Sequence, residues 1–548
     1  MPATHRDRPT LLIDDQPAPT ELMEDILQLS VEESLHRPGL FTLVLQNDYY
    51  PGRSHTRPWR HQNLLQIGKP IKVGFSTSTT EAPAFNQSNQ NYLLEGEITA
   101  IETQFSEKSQ APIIVRGYDV SHRLHRGHHN RSFQNMTDSD IVKKIVAEVG
   151  IKEGAIEDSG IPHDYVFQEN QSNMAFLRER AMRLGFELFV QDGKLNFRKP
   201  KVDGELRLKW LTDLHSFRVR VTSAEQVKAV EVRAWDYGEK RAIVSTRQRE
   251  QVLTTTQNGH GSDTSPQFNG RPNNPTTILV DQPVFSSKEA DVMAQAACDE
   301  LGGQFVCADA RGEGNATIRP GRVVQLDDMG PHSGQYYVTE TRHIYQERVY
   351  RTEFSVRGLR GGYIPRLTPQ PSLQPGQTLL VGIVTDNEDP EGWGRVKVKF
   401  PTLTEEHASN WARVVAIGAG NACGFDCLPE INDEVLVAFE HGDIHRPYIL
   451  GGVWNGTDAP PVPVRQSVQN GRVRVRTFKT RAGHQLQFVD DEGGKIQIQT
   501  AGGQTITLND SDGSIQISAT ASVAIAAPKI SLRGALVTTT TPIQVVPG

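Results

Sequence analysis

Several stretches of this chain carry residue types able to bind metal or move protons. His122, His125, His128 and His129 crowd into SHRLHRGHHN, a density that suits zinc ligation or a proton relay. Arg123, Arg126 and Arg131 are interleaved with them. Fixed cations repel a metal ion, so a basic loop at a subunit contact is the plainer account. Cys423 and Cys427 stand four apart in ACGFDC, the spacing of half a zinc site. No second Cys or His pair follows at finger-like spacing, and Cys298 and Cys307 lie far upstream, so all four read as reduced structural thiols.

The remaining candidates are weaker. His441 and His445 flank Gly442-Asp443, where a hairpin turn is the simpler reading. Asn509-Asp510-Ser511-Asp512-Gly513 echoes a calcium loop but lacks its ligand spacing and closing glutamate. Glu430, Asp433 and Glu434 fall on a strand edge with no sign of a pocket. GxSxG, GxxxxGK[ST] and HExxH are all absent. No catalytic residue, metal ligand or cofactor site is expected.

The elements that carry these residues are mostly strands. The chain has 548 residues, enough for three or four domains, with 37% hydrophobic and 22% charged residues. Its formal net charge is −7, and it has no basic stripe of the kind a nucleic-acid platform shows. No run reaches the length of a membrane span and Met1–Gln16 has no apolar segment, so synthesis in the cytosol as a soluble chain is expected. Leu27, Leu29 and Val31 alternate, then Phe41, Leu43 and Leu45 after the turn His36-Arg37-Pro38-Gly39, predicting paired antiparallel strands. Further strands are expected at 70–75, 91–105 and 111–120, closing a barrel or sandwich.

The period then changes to that of a helix. Thr137 caps a segment in which Asp140 can answer it, Ile141, Ile145, Val146 and Val149 share a face, and Gly150 ends the run. A second helix is expected over 173–184, stopping at Gly185, and a hairpin turning at Asp192-Gly193 follows. A later helix opens at the capping box Ser286-Ser287-Lys288-Glu289 and ends near Gly302-Gly303. Strands flank it on both sides. Pro365, Pro369, Pro371 and Pro375 mark a linker, and the following eighty residues, with short strands and Gly/Asp turns, fit an OB-type barrel. In that barrel Arg395, Lys397 and Lys399 share a strand face near Trp393, which a ligand-binding module would use. A second linker contains Pro460, Pro461 and Pro463.

The C-terminal region is the most informative. Apolar pairs recur at alternate residues: Leu486/Phe488, Ile496/Ile498, Ile506/Leu508, Ile515/Ile517, Val523/Ile525, Ile530/Leu532 and Ile543/Val545. Their starting points advance by 10, 10, 9, 8 and 7 residues before a looser last step. Each unit is a short strand too small to bury its own apolar face. A single-chain solenoid needs about 20 residues per coil, so units this short suit three chains sharing each turn. The shrinking spacing suggests a shaft that tapers.

This order of parts resembles the VgrG and phage tail-spike family. VEESLHRPGLFTL, SHRLHRGHHNRSFQNMTDSDI, NMAFLRERAMRLGFEL, GEGNATIRPGRVVQL with SGQYYVTETRHIY, and LPEINDEVLVAFEHGDIHRPYILGGVWNG carry the resemblance, in the family's order. LLIDDQPAPTELMEDILQLSVEESLHRPGLF is similar to spikes of extracellular-type contractile injection systems. The resemblance implies a mainly β fold, with a two-barrel tail hub and small helical insertion, an OB-fold collar and a triple-stranded intertwined β-helix needle. The expected boundaries are a leader at 1–20, hub barrels at 21–135 and 191–363, and the helical insertion at 136–190 between them. A linker at 364–376, the collar at 377–457, a neck at 458–480 and the needle at 481–548 follow.

Function follows from the resemblance as an expectation. The chain would be a homotrimeric, non-enzymatic spike that docks a hexameric inner tube and baseplate and pierces a membrane when a sheath contracts. The needle core would comprise Leu486, Phe488, Ile496, Ile498, Ile506, Leu508, Ile515, Ile517, Val523, Ile525, Ile530 and Leu532. A PAAR-like tip protein would dock near Ile543, Val545 and Val546, since no histidine follows His484 to hold a metal at the apex. Effector cargo is a further implied partner and nucleic acid is not. The particle would be assembled in the cytoplasm, then stay there, be anchored, or be released. Only 29 residues separate Gly456 from Leu486, and the chain ends soon after the last pair, so no lysozyme or effector domain is expected. The rival reading keeps a type VI or phage spike but gives its OB domain a glycan to bind.

Overall fold

A computed structural model describes residues 5–536 and 538, apart from 50–57, 80–88, 106–110, 203, 237–238, 269–272, 281–283, 285, 359–377, 407, 441–443, 445 and 492. The expected linker 364–376 therefore lies outside the described residues, as do His441 and His445. Among the described residues no helix is long and apolar enough to cross a membrane. The chain forms two compact units: 1–236 with 241–452, and 237–240 with 453–548.

An eleven-stranded antiparallel sheet organises the first unit. The strands Ile26–Ser34 and Leu40–Leu45 pair as their alternation requires, burying Leu29, Val31, Phe41, Leu43 and Leu45 completely. Leu27 departs from that pattern. A register shift between Ile26 and Gln28 turns it outward, and it is 46% exposed. The strands Ile113–Asp119, Asn89–Thr103 and Pro70–Thr79 extend the sheet on one side.

Two features of this sheet are invisible to local pattern. His5–Ile13 pairs along its whole length with Pro70–Thr79, so the segment expected as a leader supplies a strand, with Leu11 and Ile13 buried. Glu340–Gln346 pairs with Ile26–Ser34 from Glu340↔Ser34 to Gln346↔Gln28. Through it, Val349–Val356, Val306–Glu313 and Leu214–Val221 join the same sheet. Strands assigned from sequence to two barrels thus share one sheet.

The helical segment has its own core. Thr137 and Asp140 form the reciprocal capping box, and Asp138–Glu148 buries Ile141, Val142, Ile145 and Val146. Ser172 caps Asn173–Leu184, which stops at Gly185 in the left-handed region, φ 68°. These helices pack with Leu188, Leu195 and Phe197 from the hairpin Glu187–Arg198, whose turn residues Asp192 and Gly193 both have positive φ. Burial alone would raise the Asp138 carboxyl, but hydrogen bonds from His163 and Arg180 hold it below its ordinary value. In Ser287–Gly302, Ser286 Oγ accepts from Glu289 N (3.2 Å), while the Glu289 carboxylate meets Arg183 (3.0 Å) instead of closing the box.

The collar barrel orders its strands as Lys397–Lys399, Leu380–Asp386, Glu434–Phe439, Pro447–Gly452 and Arg413–Val414. An antiparallel bridge between Val396 and Ala412 closes the ring. Its core is Val384, Val396, Val398, Phe400, Ala412, Val435, Val437 and Ile449.

Candidate assembly interface

The second unit contains a five-stranded antiparallel meander: Val475–Lys479, Gln485–Val489, Lys495–Gln499, Thr505–Asn509 and Ser514–Ser518. Gly483, Gly493, Gly503 and Gly513 take positive φ at its four turns, a backbone that L side chains rarely adopt. Register then does the sorting. Phe478, Leu486, Ile498, Ile506 and Ile517 stand opposite one another in one row across the sheet, and Phe488, Ile496, Leu508 and Ile515 in a second. All nine lie on one face, because they share strand parity. The other face is polar: Thr477, Gln487, Gln497, Thr507 and Gln516 form its central row. Gln485 donates to Gln499 (2.8 Å) and Gln487 to Thr477 (3.2 Å) there.

The apolar face has no cover within the described chain. Phe488, Ile496, Ile498, Ile506, Leu508, Ile515 and Ile517 are 38–70% exposed, and Leu486 is half-buried. A soluble chain does not ordinarily present so continuous an apolar surface unless something covers it. Val523, Ile525, Ile530 and Leu532 are also exposed and belong to no strand. Ile543, Val545 and Val546 lie outside the described residues. Phe478, unassigned from sequence, completes the first row. It stands eight residues before Leu486, close to the later spacing.

The meander bears on the solenoid alternative. Coils of a single-chain solenoid stack parallel strands, whereas every neighbour here is antiparallel and joined by a tight turn. Asn509–Gly513 is one of those turns: Ser511 N donates to Asn509 (3.2 Å) and Ser514 N to Asp512 (3.0 Å). Hydrogen bonds from Ser514 hold the Asp512 carboxyl below its ordinary value.

The other candidate residues are dispersed into structural roles. His122 contacts Glu97 (2.6 Å), which also binds Arg123, and Arg131 ties Glu148, Gln168 and Asn173 together. The basic loop thus makes braces within the chain. Among the described residues, no three His, Cys, Asp or Glu side chains converge as metal ligands. Cys298 and Cys307 are buried, Cys423 and Cys427 are exposed, and none is in a disulfide. Glu434 is buried, and Asp433 accepts from Glu430 N (2.8 Å) in a turn. A cavity of about 570 Å³ in the first unit is lined partly by Glu250 and Asp299. Asp299 accepts from Gln251 N (2.5 Å) and Gln295 (2.7 Å), and Glu250 accepts from Ser262 N (3.3 Å).

In the collar, Arg395 is held by Asp389 at 2.7 and 3.0 Å, and Lys399 by Glu405 at 2.7 Å. Two of the three cations expected on that face are therefore neutralised by carboxylates.

Residues 380–454 match the type VI secretion system/phage-baseplate injector OB domain. Residues 476–537 match the phage baseplate V C-terminal trimerisation domain, which begins within the first strand of the meander. Residues 80–347 match the Alg8 N-terminal domain. The actin cross-linking toxin VgrG1 of Vibrio cholerae is 25% identical over 425 residues, 69% of this chain and 36% of its own length. The type VI secretion system spike protein VgrG2a of Pseudomonas aeruginosa is 27% identical over 191 residues, 34% of this chain and 22% of its own. The chain thus spans well under two thirds of these relatives' length. An E. coli type VI secretion component of known structure is 16% identical, with TM-score 0.42 over 81% of this chain and 99% of its own. With matches to an injector OB domain and a trimerisation domain in sequence order, and similarity to a VgrG protein over most of its length, the chain has the parts of a VgrG or phage tail spike.

Proposed function

We propose that this chain is the homotrimeric spike and hub of a contractile, phage-tail-like injection machine, acting mechanically and without catalysis. The observation that carries the reading is the uncovered apolar face of the meander, in the segment that matches a trimerisation domain. Three such faces turned toward one axis bury one another. Fully burying an apolar side chain is worth about 1.5–3 kcal/mol, so nine per chain gain on the order of tens of kcal/mol on association. Monomers do not receive that gain.

The shaft has two parts in this reading. Residues 475–518 give each subunit one antiparallel wall, and three walls close a prism around a dry core. From Val523 to Leu532 the spacing is too short for a hairpin, and among the described residues no strand pairs with this segment. There the three chains intertwine, each strand pairing with its neighbours' strands. A PAAR-like tip protein docks near Ile543, Val545 and Val546 in this reading.

The hub end docks the hexameric inner tube and baseplate, and sheath contraction drives the needle into a target membrane. The boundaries proposed for hub, collar and needle are those given above, with residues 5–17 joined to the hub. The particle is assembled in the cytoplasm and carries effector cargo, and the N-terminal sequence favours the extracellular type of injector. Electron microscopy of the purified full-length chain tests the reading. It expects threefold particles with a tapering shaft, and single globular subunits would refute it.

A further inference from the structure

We propose that the outer face of the collar barrel binds an anionic polysaccharide, a chain of sugars bearing carboxylate or phosphate groups. The face is built by strand alternation. Val396 and Ala412 point inward, fully buried, and exchange backbone hydrogen bonds (3.0 and 2.7 Å). The residues flanking them therefore point outward, with Lys397 across from Trp411 and Arg395 across from Arg413. Arg413 in turn lies beside Tyr448 on the next strand.

Cations and rings alternate across this surface. The Arg395 guanidinium is 4.6 Å from the centre of the Trp393 ring, and Lys397 Nζ is 4.7 Å from that of Trp411. The Arg413 guanidinium is 5.2 Å from the Tyr448 ring and donates to its hydroxyl at 2.9 Å. Asp389 neutralises Arg395. Among the described residues no carboxylate forms an ion pair with Lys397 or Arg413. Asp386, across the neighbouring strand from Lys397, accepts from Glu388 N (3.0 Å). In a chain of net charge −7 this face stands out.

The class of ligand follows from which surfaces remain free. Single-stranded nucleic acid binds by stacking bases on open aromatic faces. Here Trp411 and Tyr448 already carry cations on their faces, which leaves charge rather than stacking area for the ligand. Trp393 also carries a cation, Arg395, over its ring, but it is 72% exposed where Trp411 and Tyr448 are half-buried, and its backbone N donates to Asp389 (2.9 Å). An exposed indole offers an apolar platform to the C–H face of a sugar ring, and Lys397 and Arg413 receive its acidic substituents.

Binding of the full-length chain to polygalacturonate, neutral dextran, polyglutamate and oligo(dT), measured by titration calorimetry at physiological salt, tests this. Polygalacturonate is expected to bind and dextran not to. The pair K397A/R413A should weaken binding about tenfold or more, and Trp393→Ala several-fold, with oligomeric mass unchanged. Lys399→Ala, whose charge Glu405 already balances, should leave binding intact. Equal binding of polyglutamate with the same variant losses would instead assign an acidic protein surface, and equal binding of oligo(dT) a nucleic acid. No polysaccharide binding, or an equal loss in Lys399→Ala, would overturn the proposal.

Discussion

Arg319 and Glu33 meet across 286 positions of chain, with guanidinium–carboxylate contacts of 2.6 and 3.2 Å. Both side chains are only 8% exposed. The same guanidinium reaches Asp192 in the hairpin turn (2.6 Å) and the Leu93 carbonyl (2.8 Å). One side chain therefore joins two strands of the sheet, Ile26–Ser34 and Asn89–Thr103, to the hairpin of the helical segment. Burial alone would lower its affinity for the proton, but Glu33 and Asp192 more than offset that and keep it charged. Arg319→Met strands the Glu33 carboxylate and should cost the first unit about 3–5 kcal/mol. Adding Glu33→Leu should recover much of the loss. Urea unfolding followed by hydrogen exchange in the sheet measures both, and a loss below about 1 kcal/mol would contradict the role given to the pair.

Two buried groups oppose each other on acidification. Burial pushes the Asp119 carboxyl up to about 6, despite hydrogen bonds from Ser121 and Gly39 N. Its folded pKa lies above the unfolded one, so as pH falls from about 6 to 4 the folded chain takes up the proton first and gains stability. Burial, with Arg319 nearby, pushes the His343 imidazole down to about 3. Its ring is fixed between the Tyr350 hydroxyl (2.8 Å) and the Ile318 carbonyl (3.1 Å). Between about 6.5 and 3 the unfolded chain takes up that proton and the folded one does not, so stability falls. Asp119→Asn should steepen the loss of stability between pH 6 and 4, and His343→Gln should flatten or reverse it. Urea midpoints against pH provide the check, and curves parallel to the unsubstituted protein in both variants would contradict it.

The two faces of the meander should respond oppositely to charge. Ile498→Asp places a carboxylate in the row of Leu486 and Ile506, where association would bury it. Several kcal/mol per buried charge, repeated in each subunit, should dissociate the assembly at micromolar concentration. Gln497→Glu, one residue away on the polar face, should leave it intact. Sedimentation velocity distinguishes them, and equal behaviour would mean the apolar face is not the interface.

Hydrogen exchange should separate the two parts of the shaft. In the assembled protein, amides from Val523 to Leu532 should be protected. In dissociated Ile498→Asp they should exchange at once, since they have no strand partner among the described residues. The strand Lys495–Gln499, paired on both sides by its own chain, should keep measurable protection. Equal loss in both segments would argue against an intertwined distal part.

Sequence disclosed these elements unevenly, for reasons of range. Helix limits were legible because Thr137, Asp140, Gly150 and Gly185 act within one turn of the backbone they cap. The apolar pairs of the meander were legible because alternation is local and the turns carry glycine. The pairing of Glu340–Gln346 with Ile26–Ser34 was not, since nothing near either strand names a partner three hundred residues away. Arg395 and Lys399 looked like a free cationic face because strand parity shows direction and not the carboxylates of Asp389 and Glu405. Leu27 defied its alternation because a bulge is set by the partner strand.

The central claim is that three chains share one apolar core. The solution mass of the purified full-length chain, from light scattering after gel filtration, tests it most directly. The account predicts three times the 60.8 kDa subunit mass, independent of concentration in the micromolar range. A stable species at the mass of one subunit would contradict it, because a folded monomer leaves the rows from Phe478 to Ile517 and from Phe488 to Ile515 in water.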